Sequence, residues 1–168
     1  YIISMGHRRI AYVYGRDSAV TKERMVNFYR SMEHHGIPVK EEYVVPGEYT
    51  DPVAAAKATK QLLKLKTPPT CILYTDDYAC IGGMGAIEEA GLSIPDDISV
   101  AGYDGIPMSS VVKPRLTTVR QDTEQIGRRT VKKLVALIEK PKTTGVEIQC
   151  VPVTLEKGRS VKNLVENP

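Results

Sequence analysis

Four runs of consecutive apolar residues recur along the chain: Ile10–Tyr14, Tyr43–Val45, Cys71–Tyr74 and Ile98–Tyr103. Their near-constant interval of about 30 residues is the length of one strand, one crossover helix and two loops. The runs are continuous rather than alternating, as in Ile10-Ala11-Tyr12-Val13-Tyr14, which is the pattern of parallel strands covered on both faces. Between them the apolar spacing is helical. Met25, Phe28, Tyr29 and Met32 share a stripe within Thr21–His35, closed by Gly36 and Pro38. Ala55, Ala58, Leu62 and Leu65 share one within Pro52–Leu65, with Asp51 at the cap and Pro52 at the first helical position. Ile81, Met84 and Ile87 align within Tyr78–Ala90, with Asp77 the expected cap and Gly91 the stop. The order β-α-β-α-β-α-β predicts an α/β fold with a doubly wound parallel sheet.

Beyond Tyr103 the pattern changes. Asp104–Arg115 reads as a loop, Leu116–Arg120 as a short extended piece, and Thr123–Ile138 as a long helix. That helix carries two mainly apolar stripes, one through Ile126, Thr130, Leu134 and Leu137 and one through Val131, Val135 and Ile138, which predicts contacts from more than one side. Pro141–Gly145 reads as a turn, Glu147–Leu155 as a final strand and Val161–Pro168 as a frayed tail.

Composition narrows the function classes. At 168 residues, 42% hydrophobic and 26% charged, the chain is of single-domain size and is not disordered. No stretch reaches the roughly 20 apolar residues of a membrane span. A net charge of +3 is too small to imply nucleic-acid binding by bulk electrostatics. Cys71, Cys80 and Cys150 form no CxxC pair and sit among apolar neighbours, as reduced buried cysteines do, which favours an intracellular setting. His7, His34 and His35 stand at no metal-ligand spacing, and nothing calls for a cofactor. There is no GxSxG elbow or Walker loop, and Gly82-Gly83-Met84-Gly85 lies within a helix. With no histidine at a strand's carboxyl end, no catalytic residue is predicted, and binding without chemistry is the expectation. The opening Tyr1-Ile2-Ile3 reads as the end of a helix, so the chain is expected to be part of something longer.

In an open parallel sheet, ligands bind outside the carboxyl ends of the strands. The residues delivered there include Arg24 after the first strand, Tyr49 after the second, Asp76 and Asp77 after the third, Asp104 after the fourth and Gln121 after the late extended piece. Carboxylates accept hydroxyl hydrogen bonds, a guanidinium donates two in parallel, and an aromatic ring stacks on the apolar face of a sugar or base. The set therefore suits a polyhydroxylated or amide-bearing small molecule. Each residue also has a plainer reading. Asp76-Asp77 can be a cap and a first-turn acid, Asp104-Gly105 a turn, Arg24 a solvated or ion-paired helix residue, and Tyr49 a loop residue.

Two motifs sharpen this. Asp97-Ile98-Ser99-Val100-Ala101-Gly102-Tyr103-Asp104, followed by Leu116-Thr117-Thr118-Val119-Arg120-Gln121-Asp122, resembles the effector-domain signature of the lactose/galactose-repressor (LacI/GalR) family of bacterial transcription regulators. Gly6-His7-Arg8-Arg9-Ile10-Ala11 and Thr75-Asp76-Asp77-Tyr78-Ala79-Cys80-Ile81-Gly82 are similar to the same family in the same order. The resemblance implies a periplasmic-binding-protein-like (type I) half domain. Residues 1–168 would be the carboxyl-terminal lobe of an effector-binding and dimerisation domain, lacking the helix-turn-helix and the amino-terminal lobe. The crossover helix over 123–140 would pack on that missing lobe. The resemblance also implies effector contacts at Arg24, Tyr49, Asp76, Asp104 and Gln121, with Asp76 standing where an amide is common. It implies a homodimer through helix 77–90 and the loop after Tyr103, with Cys80, Met84 and Ile87 facing the partner. Operator DNA would be bound only through the absent amino-terminal domain, the setting would be cytoplasmic, and the effector would be a sugar or another small polar molecule. A periplasmic or secreted sugar-binding protein of a transport system, sharing the fold, is the competing reading.

Overall fold

The computed structural model describes residues 1–141, 145 and 147–165. In chain order the elements are β1 (Ile10–Tyr14), α1 (Ala19–His34), β2 (Val44–Pro46), α2 (Pro52–Leu63), β3 (Cys71–Tyr74), α3 (Asp77–Glu89), β4 (Ser99–Asp104), β5 (Thr117–Arg120), α4 (Thr123–Glu139) and β6 (Thr154–Glu156). The sheet order is β2-β1-β3-β4-β5-β6, with parallel pairings throughout except β6, which runs antiparallel to β5. The expected doubly wound parallel sheet is therefore present. The order turns back between β1 and β3, so the helices leaving these neighbours cover opposite faces and the crevice between them opens at their carboxyl ends.

The continuous apolar strands are divided between the faces by the pleat. Ala11, Val13, Ile72, Tyr74 and Val100 pack with Ala55, Leu62, Cys80 and Ile87 from α2 and α3. Ile10 and Tyr12 pack with Phe28 and Met32 of α1 on the other face. The second cluster is smaller, and beside it lies an apolar trough of about 380 Å³ lined by Ile3, Ile10, Phe28, Met32, Leu73 and Leu155 among others. The Gly82-Gly83 pair has a packing role. A Cβ at Gly82 would run into the Pro52 backbone at the start of α2, and one at Gly83 into the Tyr74 ring, so the pair allows α3 to lie close against both.

Several expectations are corrected. Asp76, not Asp77, caps α3, accepting from Ala79 N at 2.8 Å, and Asp77 begins the helix. Cys80 and Ile87 are wholly buried and Met84 nearly so. All three pack into the core on the inward face of α3, and of them Met84 also lines a surface groove beside Ile81 and Gly85. Cys150 is exposed, unlike Cys71 and Cys80. The last strand spans only Thr154–Glu156 instead of Glu147–Leu155. Its partner β5 ends at Arg120, which pairs with Thr154, so residues before Thr154 have no edge to join. Of the expected turn over Pro141–Gly145, residues 142–144 lie outside the described residues. The tail is anchored as far as residue 165. The Ser160 hydroxyl donates to Val100 O at 2.7 Å, Lys162 N donates to the Ser99 hydroxyl at 2.9 Å and Leu164 N to Met5 O at 2.7 Å. His7 completes this anchor. Its Nε2 donates to Lys162 O at 3.0 Å, its Nδ1 lies 2.9 Å from Thr70 Oγ1, and burial lowers its pKa.

Candidate functional site

Ser18 starts α1 by accepting from Thr21 N at 3.1 Å, which places Arg24 in the second turn, above the carboxyl end of the sheet. Its Nη1 donates to Thr75 O at the end of β3 at 2.7 Å. Its guanidinium carbon lies 3.9 Å from the centroid of the Tyr103 ring and 6.0 Å from that of Tyr49. Arg24 is thus held by a carbonyl and two aromatic faces, which use one of its five donors and leave the rest of the fork available.

Tyr49 hangs from the β2–α2 loop over Gly15, where any Cβ would strike its ring. Its hydroxyl lies 2.9 Å from Thr21 Oγ1, which itself donates to Arg16 O at 2.7 Å. Thr21 has spent its only proton, so Tyr49 is the donor. The next residue, Thr50, has φ 53°.

Asp104 ends β4 at φ 104°, a backbone region that L-residues enter at a cost of about 1–3 kcal/mol. Gln121, just past β5, meets it twice. The Gln121 side-chain amide donates to Asp104 Oδ1 at 2.6 Å, and Gln121 N donates to Asp104 O at 3.2 Å. Burial pushes the Asp104 carboxyl above its ordinary value, against the opposing effects of the Gln121 bond and the nearby Arg24 charge, while Asp76 adds to the rise.

Asp76 and Asp77 are both buried. Asp76 accepts from Ala79 N and, with its other oxygen, from Thr50 N at 2.8 Å. Asp77 turns inward, accepting from the Thr118 hydroxyl at 2.6 Å and Ile106 N at 2.9 Å. Burial raises its pKa despite those donors. Among the described residues no group of three or more His, Cys, Asp or Glu could hold a metal ion.

Arg24, Tyr49, Asp104 and Gln121 therefore share one edge, at the crevice between β1 and β3. Asp76 lies at the same edge but is turned into the protein. The sequence places Tyr103 at the end of the fourth apolar run without marking it as the support of Arg24, and does not mark Tyr12, whose buried hydroxyl is pushed up to about 12 chiefly by burial. The available signal was the two-residue strand period, which puts Tyr12 and Tyr103 on the Arg24 side of the sheet.

Residues 1–161 match the family described as periplasmic binding protein-like domain. The chain is 38% identical over 149 residues to a Bacillus subtilis (strain 168) protein named as the HTH-type transcriptional repressor ExuR, covering 88% of this chain and 44% of that one. It is 34% identical over 171 residues to the HTH-type transcriptional repressor PurR of Actinobacillus pleuropneumoniae serotype 3, covering 98% and 49%. The chain thus spans about half the length of these curated relatives. Among solved structures it is similar to a LacI family transcriptional regulator from Enterococcus faecium with bound ribose, at TM-score 0.86 and 30% identity, covering 97% of this chain and 60% of that one. It is also similar to the lac repressor dimer bound to operator and an anti-inducer, at TM-score 0.85 and 30% identity, covering 96% and 48%.

Proposed function

The chain belongs to the family of periplasmic-binding-protein-like domains that LacI/GalR regulators carry, and from that premise we propose that it is the carboxyl-terminal, effector-sensing and dimerising lobe of such a regulator. The residues we assign to the effector edge are Arg24, Tyr49, Asp104 and Gln121, with Asp76 in support. The observation that carries this reading is Asp104. It pairs an unfavourable φ of 104° with a side chain pinned by Gln121, and such strain clusters where a binding geometry is pre-organised. Arg24 supplies donors, the Asp104 carboxylate an acceptor and Tyr49 a ring, together a set for a neutral, hydroxyl-rich ligand such as a sugar. That one structural relative is described with bound ribose supports the same class. A transport protein is not favoured, since the relatives are named as repressors.

In this reading the crossover helix over 123–140 packs on an amino-terminal lobe, and operator DNA is met through a separate domain. Dimerisation uses the outward side of α3 and the loop after Tyr103. Support comes from half-buried Ile81 and exposed Gly85, which share a surface groove with Val112 and Pro114, and from exposed Met108 and Val111 beside it. Among the described residues no helix is long and apolar enough to cross a membrane, and we place the regulator in the cytoplasm.

The test is calorimetric titration of the full-length regulator with pentoses, hexoses and disaccharides. At least one sugar binds, and Arg24→Ala weakens it roughly 10- to 100-fold, the usual loss for a charge-assisted bond. A panel with no binder, or an Arg24→Ala variant of undiminished affinity, overturns the assignment.

A further inference from the structure

We propose that Asp76 is a positioning residue. Its two carboxylate oxygens tie the start of α3 to the loop carrying Tyr49, and thereby set the aromatic wall of the cleft without touching the effector. The inference rests on the reading of that edge as the effector cleft.

With 1% of its surface exposed, Asp76 offers a ligand almost nothing to touch. Its oxygens instead serve two separate segments. Oδ1 accepts from Ala79 N at 2.8 Å and caps α3, while Oδ2 accepts from Thr50 N at 2.8 Å. The second bond falls where the loop most needs holding. Thr50 is β-branched and sits at φ 53°, a region such residues avoid.

The residue just before it is Tyr49. Its position is thus fixed at three points: the backbone through Thr50 and Asp76, the ring over Gly15 and the hydroxyl on Thr21. Releasing the first lets the loop relax toward ordinary backbone angles and carries the ring away from Arg24. Cleft preference for a ligand with an apolar ring face then weakens, because that preference depends on where the Tyr49 face stands.

The chemistry requires a carboxylate. Two backbone N–H groups approach from different segments, and Asp presents one acceptor atom to each. Asn presents a single oxygen, and its NH₂ would oppose the other donor. Ser caps a helix with one short hydroxyl and cannot reach Thr50 as well. Both remain good helix caps, so Asp76→Asn and Asp76→Ser separate the cap from the tie.

Amide hydrogen exchange on the whole chain reads that separation directly. In both variants the Thr50 amide loses roughly tenfold or more of its protection, while the Ala79 amide stays within roughly twofold of the parent. Unchanged protection at Thr50, or parallel loss at Thr50 and Ala79, overturns the tie. Nitration by tetranitromethane, mapped by peptide mass spectrometry, reads the ring. Tyr49 reacts several-fold faster in Asp76→Asn, with Tyr78 on exposed α3 surface unchanged as the internal reference. Equal Tyr49 rates in parent and variant overturn the effect on the wall. Neither readout needs a ligand, so a regulator that binds no sugar defeats the cleft reading while the Asp76 tie is still measured on its own.

Discussion

Helices α3 and α4 are alike on paper and opposite in the structure. Both follow a strand of the same sheet, both are capped by an aspartate (Asp76 and Asp122), and both carry apolar residues at helical spacing. Yet α3 buries Ala79, Cys80, Met84, Ala86 and Ile87, whereas α4 buries none of its residues and leaves Val131, Leu134 and Ile138 more than half exposed. The more cleanly two-sided helix is the uncovered one. Segregation of apolar from polar positions measures what a helix gains from a partner and says nothing about whether the partner lies in the same stretch of chain. The α3 pattern is blurred because its glycines and alanines let it lie close against both α2 and the sheet, leaving exposed an outward strip that includes Tyr78, Gly85 and Glu88.

The largest break in this contrast is expected at Ile87. Ile87→Ala empties a fully buried site and lowers unfolding free energy by about 2–5 kcal/mol in urea titration, with loss of cooperativity as the alternative sign of a disrupted core.

A smaller effect is expected at Asp77, where α3 meets β5. Burial raises its pKa, so the folded chain holds this proton more tightly than the unfolded one. The resulting stabilisation is present below the ordinary aspartate value of 3.8 and disappears as pH rises through the raised one. Asp77→Asn keeps an acceptor oxygen for Ile106 N, reverses the Thr118 bond so that the Asn amide donates to the hydroxyl, and removes the titratable proton. Stability measured against pH therefore falls less steeply over that window in the variant than in the parent, and parallel curves contradict the assignment.

The smallest effect belongs to α4. Leu134→Ala changes the stability of this chain by no more than about 0.5 kcal/mol, as at other exposed positions. The same substitution in a longer regulator costs about 2 kcal/mol or more if another lobe covers α4 there, as a large-to-small change at a buried site does.

Legibility followed the same divide. The strands from Ile10, Cys71 and Ile98 and the helices between them were readable because continuous apolar runs and 3.6-residue stripes were each satisfied by the next element along the chain. The late strand was not, because its length depended on where β5 stops. Cys80 and Ile87 lay on an apolar face that could meet either a partner or the core, and spacing does not choose between them. At the site, the edge holding Arg24, Tyr49, Asp104 and Gln121 was readable from topology alone. The cap of α3 fell to Asp76 and not to the expected Asp77 because neighbouring aspartates both suit a helix start, and only backbone angles decide which one caps.

What the sequence determined by itself was the alternation of strands and helices, and with it the edge to which Arg24 and Asp104 are delivered, since local periodicity and chain connectivity dictate both. The tertiary structure alone decided which polar atoms were already satisfied. Asp76 is spent on two backbone amides and Asp77 on Thr118 and Ile106, while Arg24 keeps donors to spare. Hydrogen bonding depends on distances of a few tenths of an ångström between segments far apart in the chain, and no residue pattern along a single strand or helix encodes those.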